Sequence, residues 1–203
     1  MKRLAPILAY GAVAIGLFWA RSAWGALLGF HAAMLSALWL DRRNLPPLSL
    51  LVKNKHRRWI IVNLLIGSLS GLALYELWPW LNITPDLSTQ LEALGLTRAT
   101  WPAFILYFTL VNPWIEEFFW RGYLGDASTW PVVMDFIFAG YHGMLLIGRT
   151  GPLTSSLALS GLVFAGWLWR QTLREDGGLL AAGLSHLLAD FTILVAVYYT
   201  AII

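Results

Sequence analysis

The sequence predicts an all-α fold, a polytopic bundle of transmembrane helices that forms one membrane-embedded domain. Of the 203 residues, 58% are hydrophobic and only 12% are charged, a balance typical of proteins that cross a bilayer several times. The apolar residues occur in separate runs, and about 20 residues of helix cross the hydrocarbon core. Most of the twelve tryptophans lie at the ends of these runs, where aromatic side chains anchor helices at the membrane interface.

The apolar runs define about seven spans, with eight as the alternative count. Residues 1–100 hold the N-terminal spans and a polar segment, and residues 101–203 hold four late helices that carry the ionisable groups discussed below. In the polar segment, the spacing of Leu87, Leu91 and Leu94 predicts a short amphipathic helix on the membrane surface. The predicted spans are 4–20, 24–40, 59–81, 101–123, 130–147, 153–169 and 179–202.

One predicted span carries a face of small side chains. In the sixth span, Ser156, Ser160 and Gly161 are spaced to lie on one side of a helix. Small side chains let helix backbones approach closely in lipid, where the hydrophobic effect does not drive helices together. We therefore expect the sixth span to pack against a neighbour at this face.

The distribution of Lys and Arg predicts how the chain is oriented, because basic residues are enriched in cytoplasmic connecting segments. If the spans alternate, eleven of the 14 basic residues fall on one side, and Arg21, Arg98 and Arg149 fall on the other. We expect an integral protein of a prokaryotic plasma (inner) membrane with a cytoplasmic N-terminus. The basic loop 41–58 would lie near anionic lipid. The eleven residues are Lys2, Arg3, Arg42, Arg43, Lys53, Lys55, Arg57, Arg58, Arg121, Arg170 and Arg174.

Three of the late spans contain ionisable side chains that are costly to place in hydrocarbon and are therefore functional by default. At about 1.5 Å of rise per residue, all of them fall in or near the cytoplasmic half of the membrane. This agreement in depth predicts one shared polar site. The three clusters are Glu116-Glu117 with Arg121, Phe138 with His142, and His186 with Asp190.

Helical spacing gives the two adjacent glutamates different neighbours, because consecutive side chains point about 100° apart. Glu117 is four residues before Arg121, and Asn112 is four residues before Glu116, so each pair shares a face. We expect Glu117 to pair with Arg121, either as a structural ion pair or with a direct catalytic role. Glu116 is expected to face the site.

The histidines of the clusters have neighbours at helical spacing as well. His186 and Asp190 lie one turn apart on the same face. Asp135 precedes His142 by about two turns, where it could orient His142 or cap the helix near the inner interface. The Phe138 ring is expected to pack against His142 and hold it in place.

Polar side chains elsewhere in the spans have simpler explanations. His31 stands alone on the second predicted span, and a lone buried histidine is most often one whose hydrogen bonds are satisfied within the core. Glu76 lies beside Trp78 and Trp80 and is expected to reach the outer interface.

Two carboxylates and two imidazoles in a polar site within the membrane suit the hydrolysis of a peptide bond. A carboxylate can take a proton from water, and an imidazole can hold that water or stabilise the oxyanion formed on attack. The chain has no cysteine, which excludes cysteine nucleophiles and thiolate metal ligands. It also has none of the motifs HExxH, GxGD or GxSG, which argues against metalloproteases of the HExxH type and against the aspartyl and serine classes of intramembrane protease.

The three clusters, taken in order, carry a family resemblance. Residues 116–122 read EEFFWRG and fit EExxxR followed by Gly, residues 138–142 read FAGYH and fit FxxxH, and residues 186–190 read HLLAD and fit HxxxN/D. Together they resemble the CPBP family of CAAX proteases and bacteriocin-processing enzymes, also called Abi-type or Ras-converting membrane endopeptidases. The resemblance covers about residues 101–190.

The resemblance implies a helical intramembrane endopeptidase in which each cluster has a role. Glu116 would be the general base, His142 would help to position the water, and His186 with residue 190 would form the oxyanion pocket. Asp190 departs from the asparagine often found there, so it would be protonated, orient His186 or bind a metal. Catalysis without a cofactor is favoured. Zinc is the alternative, with Glu116, His142, His186 and Asp190 as its ligands.

Two functions from different classes remain open at this point. The first is an endopeptidase that cleaves a membrane-anchored or lipid-modified peptide or protein near the cytoplasmic side. The second is a non-hydrolytic membrane protein, such as a proton-coupled transporter or an immunity scaffold, that uses the same polar cluster. The chain lacks a paired inverted repeat, which favours the protease. The expected partners are the bilayer and a membrane-embedded substrate, and a net charge of +3 gives no indication of nucleic-acid binding.

Overall fold

The computed structural model describes residues 2 and 4–202, and this part of the chain is helical apart from one isolated bridge between Ile83 and Thr150. The predicted all-α bundle is therefore confirmed. Arg3, one of the basic residues that set the predicted orientation, lies outside the described residues. Eight α-helices occur in the described part: α1 Ala5–Ala14, α2 Ala23–Leu40, α3 Arg57–Leu77, α4 Leu87–Ala93, α5 Trp101–Glu117, α6 Val133–Leu146, α7 Pro152–Asp176 and α8 Leu180–Ala201. The helices α1 and α5 continue as π-helical turns, Ile15–Trp19 and Phe118–Tyr123.

Four of these helices are long and apolar enough to cross a membrane, namely α2, α3, α7 and α8. The segments Ala5–Trp19 and Val133–Leu146 are shorter apolar helices. Large apolar side chains on these helices point outwards, for example Ile7, Leu65 and Leu157. Outward-facing apolar side chains are what a bilayer requires, and the protein is an integral membrane protein. The count of about seven spans stays a prediction.

Two glycines bring α3 into close contact with α8. A Cβ atom at Gly67 would collide with the backbone of Ser185, and one at Gly71 would collide with Thr192. The Thr192 hydroxyl links the two helices directly. It donates to the Gly67 carbonyl oxygen at 3.2 Å and accepts from the Gly71 N–H at 3.1 Å. Small residues thus bring α8, which carries His186, against α3.

The structure does not use the small-residue face that the sequence predicts on the sixth span. Ser156, Ser160 and Gly161 lie on α7, and all three are exposed. A different small residue of α7 makes a close contact instead, because a Cβ atom at Gly166 would lie 3.1 Å from Cδ1 of Phe138. Spacing alone gave the correct kind of residue but the wrong position.

The segment between the N-terminal and late helices contains the predicted short helix, α4. Its predicted apolar side, Leu87 and Leu94, is buried, and Leu91 packs against the core. The segment is held at both ends by backbone hydrogen bonds. The Ala23 N–H donates to the Leu94 carbonyl oxygen at 2.9 Å, and the Thr84 N–H donates to the Arg149 carbonyl oxygen at 2.9 Å.

The buried carboxylate of Asp176, at the end of α7, fixes the basic loop before α3. It accepts hydrogen bonds from the backbone N–H groups of Lys55 at 2.8 Å and His56 at 2.7 Å, and from the Asn54 amide at 2.6 Å. These N–H groups lie just before the first turn of α3. Asp176 therefore caps α3 from another helix and satisfies donors that have no partner within the helix itself.

A buried arginine organises the connection from α5 to α6. Arg170 pairs with Asp135, with 2.8 Å between Nη2 and Oδ2, and also donates to backbone carbonyl oxygens within residues 126–130. Asp135 accepts from the Val132 N–H at 2.9 Å and so caps α6. Of the two roles considered for Asp135, the structure shows the cap, and its side chain bonds Arg170 rather than His142. Arg170 and Arg121 counted toward the predicted orientation, yet both are buried.

The tryptophans at the helix ends differ in exposure, and four of them, Trp24, Trp59, Trp78 and Trp167, are partly buried. An interfacial position fits the exposed group, Trp19, Trp39, Trp80 and Trp130. Trp101 and Trp169 are buried instead. The Trp169 ring stacks on His186 with 4.5 Å between ring centroids. The interfacial position predicted for Trp169 is therefore wrong, because this side chain covers part of the polar cluster.

Candidate active site

The EExxxR motif lies where α5 changes from an α-helix into its π-helical turn. The helix ends at Glu117, and the turn Phe118–Tyr123 contains Arg121. Five of the six residues of this turn are buried, so the segment is surrounded by protein on nearly all sides. Single π turns inside helices are frequent at functional sites. The turn ends close to the basic loop, because the Tyr123 hydroxyl donates to Asp41 at 2.7 Å.

Glu116 is bound by neutral donors only. Its side chain accepts from the Asn112 amide at 2.9 Å and from the Trp120 indole N–H at 3.0 Å. The Tyr141 hydroxyl lies between the two carboxylate oxygens, at 2.7 Å and 2.8 Å. With 1% of its surface exposed, Glu116 is a buried carboxylate to which no Lys or Arg among residues 2 and 4–202 is bonded.

Glu117 has the opposite kind of surroundings. Its Oε1 atom lies 3.1 Å from Nη1 of Arg121 and 2.9 Å from Nδ1 of His186. Its Oε2 atom is buried without a hydrogen-bond partner in the described part of the chain, and so is Nη2 of Arg121. The Arg121 guanidinium also lies over the rings of Phe138, at 3.9 Å, and Trp169, at 4.9 Å. The expected pairing of Glu117 with Arg121 is present, and it includes His186.

Asn112 connects the Glu116 side of the site to α8. Its Nδ2 atom donates to Glu116 and also to Oδ2 of Asp190 at 3.2 Å. Asp190 in turn lies 3.5 Å from Nε2 of His186. On the other side, Oδ1 of Asn112 lies 3.0 Å from Nε2 of His31 on α2. One amide therefore holds two carboxylates from different helices.

His142 completes the site from α6. Its Nδ1 atom lies 3.2 Å from the Phe138 carbonyl oxygen, which fixes the ring relative to its own helix. The ring stacks on Tyr141 with 3.9 Å between centroids, and the Phe138 ring packs against it edge-on at 5.3 Å. Glu116 and His186 are ionisable groups near this ring. The predicted packing of Phe138 against His142 is observed.

The structure thus brings the predicted catalytic residues into one connected cluster with three of the four predicted supporting residues. The fourth, Asp135, lies apart from the cluster and pairs with Arg170. The cluster consists of the predicted catalytic residues Glu116, Glu117, His142, His186 and Asp190 and the supporting residues Asn112, Arg121 and Phe138.

Four contributors were not predicted as part of the site: His31, Trp120, Tyr141 and Trp169. Trp120 is four residues after Glu116, so helical spacing could have found it. Tyr141 precedes His142 directly and belongs to the second motif. The spacing carries no signal for His31 or Trp169, because they meet the site only through the packing of separate helices.

Several side chains of the cluster are of the types that bind metal ions in proteins. Within residues 2 and 4–202, no group of three or more His, Asp or Glu side chains is placed to hold a metal ion. Both oxygens of Glu116 already accept hydrogen bonds, and Nδ1 of His186 faces Glu117. The zinc alternative, with Glu116, His142, His186 and Asp190 as ligands, stays a prediction.

Comparison with known proteins agrees with the geometry. Residues 98–192 match the model of the Rce1-like family, type II CAAX prenyl endopeptidases. The matched region contains all three motifs and runs from the start of α5 to the first part of α8. Neither the search of curated proteins nor that of solved structures gave a match. Residues 98–192 are therefore similar to the Rce1-like family of type II CAAX prenyl endopeptidases, and the family resemblance carried by the three motifs is confirmed over this region.

Proposed function

We propose that the protein hydrolyses a peptide bond of a membrane-anchored or lipid-modified substrate, with Glu116 as the general base. The observation that carries this proposal is the difference in bonding between the two buried glutamates. Glu117 is balanced by Arg121, whereas Glu116 is held only by neutral donors. A buried carboxylate that no cation balances is costly, and such groups mark functional sites. The family match gives no support to a transporter or scaffold.

In the proposed mechanism, a water molecule lies between Glu116 and His142. Glu116 takes a proton from this water while the oxygen adds to the carbonyl carbon of the substrate, which becomes a tetrahedral oxyanion. The proton then passes from Glu116 to the amide nitrogen of the leaving group. The carbon–nitrogen bond breaks, and the products are a carboxylate and an amine.

We assign stabilisation of the oxyanion to His186. Its Nδ1 atom lies 2.9 Å from Glu117, and its Nε2 atom, which lies 3.5 Å from Asp190, is the donor left for the oxyanion. Both nitrogens carry hydrogen only when the ring is doubly protonated. A donor that is already positioned where negative charge develops lowers the barrier. In this scheme Asp190 orients His186, and Glu117 holds it from the other side.

The proposed reaction uses no metal. The sequence supports this, because none of the spacings typical of zinc proteases is present. We expect cleavage to persist when 1,10-phenanthroline or EDTA is present. Loss of cleavage with the chelator, and its return with added zinc, would contradict this part of the proposal.

The decisive experiment compares wild type with Glu116→Gln. We expect membrane proteomics of cells with the variant to show uncleaved substrates, and we expect kcat to fall about 10²–10⁴-fold, the usual contribution of a general base. The assay probe is an internally quenched farnesylated CAAX peptide in proteoliposomes, with the unprenylated peptide alongside. Glu76→Gln is the matched control, because Glu76 is an exposed glutamate on α3. Wild-type cleavage by Glu116→Gln would overturn the assignment.

We further propose a cytoplasmic N-terminus in a prokaryotic plasma membrane, with the site in the cytoplasmic half. The absence of cysteine allows a direct test, because each introduced cysteine is the only thiol in the chain. Lys53 in the basic loop and Arg98 before α5 are both exposed. In intact cells, an impermeant maleimide should label Arg98→Cys and leave Lys53→Cys unlabelled. The reverse pattern would invert the proposed topology.

A further inference from the structure

We infer that His31, on α2, is a positioning residue of the active site that acts by fixing the orientation of the Asn112 amide. This inference rests on the proposed function, because it concerns the two carboxylates that Asn112 holds. His31 lies outside residues 98–192, the region that matches the family. The sequence alone predicts only a core histidine at this position.

A chain of hydrogen bonds leads from α2 to the carboxylates. Nδ1 of His31 lies 3.2 Å from the Tyr107 hydroxyl, and Nε2 lies 3.0 Å from Oδ1 of Asn112. From Asn112, the Nδ2 atom reaches Glu116 at 2.9 Å and Asp190 at 3.2 Å. His31 and Asn112 are both buried, with 3% and 1% of their surface exposed.

The chemistry of these groups sets the direction of each bond. An ionised carboxylate only accepts, so Asn112 must turn its NH₂ group towards Glu116 and Asp190. Its carbonyl oxygen then points to α2, where a buried acceptor needs a donor. His31 supplies it as the tautomer with hydrogen on Nε2. In the neutral ring, Nδ1 is then an acceptor, and the Tyr107 hydroxyl donates to it.

Without His31, no described side chain of α2 would donate to the Asn112 carbonyl oxygen and hold it on the α2 side. Rotation of the amide by 180° would place its carbonyl oxygen against two carboxylates, which repel it. Because the same NH₂ group binds Glu116 and Asp190, its orientation also sets the relation between the proposed base and the residue beside His186. His31 thus fixes this geometry from outside the catalytic helices, as outer partners of a reacting group commonly do.

The neighbouring residue of α2 supports the same arrangement. The Phe30 ring packs against Tyr141 with 4.7 Å between centroids, and Tyr141 donates to Glu116. α2 therefore contacts two of the three residues that donate to Glu116. Because the His31 ring also packs near Tyr107, at 5.7 Å, a test has to separate hydrogen bonding from packing.

Two His31 variants make this separation. His31→Leu keeps an apolar side chain in the core without a donor, whereas His31→Gln can still donate to Asn112. In proteoliposomes with the farnesylated CAAX peptide, we expect His31→Leu to lower kcat about 10–100-fold with little change in KM. We expect His31→Gln to recover most of that loss. In an Asn112→Ala background, His31→Leu should have no further effect, because the two residues act through one interaction.

A second measurement needs no substrate. The chain has four histidines, so ¹⁵N NMR of the histidine rings can be assigned with single-site variants. We expect His31 to carry its hydrogen on Nε2 in the wild type. The ¹⁵N chemical shifts of its ring should change when Asn112 is replaced by Ala. Hydrogen on Nδ1, or an unchanged His31 spectrum in Asn112→Ala, would overturn the inference.

The outcomes distinguish the inference from the proposed function. Loss of cleavage in Glu116→Gln with wild-type kcat in His31→Leu would overturn the role of His31 alone. Equal losses in His31→Leu and His31→Gln would show a packing role and also overturn it. Wild-type cleavage by Glu116→Gln would remove the proposed function and the catalytic role of His31 together. The NMR result would then still decide whether His31 orients Asn112.

Discussion

Glu116 and Glu117 are adjacent in the sequence, and both are buried, yet they lie in opposite kinds of environment. Glu116 points towards α2 and α6 and is held by an amide, an indole and a phenol. Glu117 points towards α8, where Arg121 and His186 bind it. The difference shows how one turn of helix can supply two unlike groups. The charge of Glu117 is neutralised by Arg121, whereas Glu116 has no such partner among the described residues and is the proposed base.

The aromatic residues strengthen this difference. On the Glu117 side, the rings of Phe138 and Trp169 lie against the Arg121 guanidinium, which is an arrangement that favours a cation. On the Glu116 side, Tyr141 and Trp120 lie parallel, with 6.2 Å between centroids, and both direct polar hydrogens at the carboxylate. Aromatic side chains therefore serve packing in one region and hydrogen bonding in the other.

The largest effect on stability is expected for Glu117→Gln. The variant leaves Arg121 as a buried cation without its partner, and breaking a buried pair in this way typically costs about 3–5 kcal/mol. We expect a large fall in the thermal unfolding midpoint in detergent, together with loss of cleavage, because His186 also loses a partner. Glu116→Gln is the matched variant, and its unfolding midpoint should fall much less.

The double variant Glu117→Gln with Arg121→Gln sharpens this prediction. Removal of both charges leaves no unbalanced ion, so the double variant should be more stable than the sum of the two single changes predicts. If Glu116→Gln and Glu117→Gln lower the unfolding midpoint equally, the two carboxylates do not differ in the way the structure indicates.

An intermediate effect, on catalysis rather than stability, is expected for Tyr141→Phe. The change removes one hydroxyl and keeps the ring that stacks on His142 and packs against Phe30. A hydrogen bond to a charged group contributes about 1.5–3 kcal/mol, so kcat should fall about 10–100-fold. The measurement is kcat with the peptide probe, and the unfolding midpoint serves as the control. A variant with wild-type kcat would show that Tyr141 does not hold Glu116 for the reaction.

The sequence predicted the late helices and the main groups of the site, because hydropathy and helical spacing depend only on neighbours along the chain. The pairing of Glu117 with Arg121 follows from a spacing of four residues. Contacts between helices carry no such signal. The bond from His31 to Asn112 joins residues 81 positions apart, and no local pattern indicates it.

The fold shows the same division between local and distant information. The sequence predicted α4 and its buried leucines from periodicity. It placed a close helix contact at the small-residue face around Ser160 of α7. The structure has close contacts at Gly166 of α7 and at Gly67 and Gly71 of α3 instead. Both helices have small residues at suitable spacing, and only the docking of α8 decides which are used.

The smallest effect is expected for Trp120→Phe, which removes one donor from the Glu116 side and keeps an aromatic ring in the core. The indole N–H binds only Oε2 of Glu116, and this oxygen still accepts from Tyr141 at 2.8 Å. Because Oε2 keeps a partner, kcat should fall less than in Tyr141→Phe, by about tenfold or less.

Measurement of Trp120→Phe, Tyr141→Phe and the double variant with one probe gives the coupling energy between the two donors. Additive losses would mean that the two donors act on Glu116 independently. If Trp120→Phe alone lowers kcat as far as Tyr141→Phe, the donors around Glu116 act as one unit, and the contrast with Glu117 lies in the whole network rather than in any single bond.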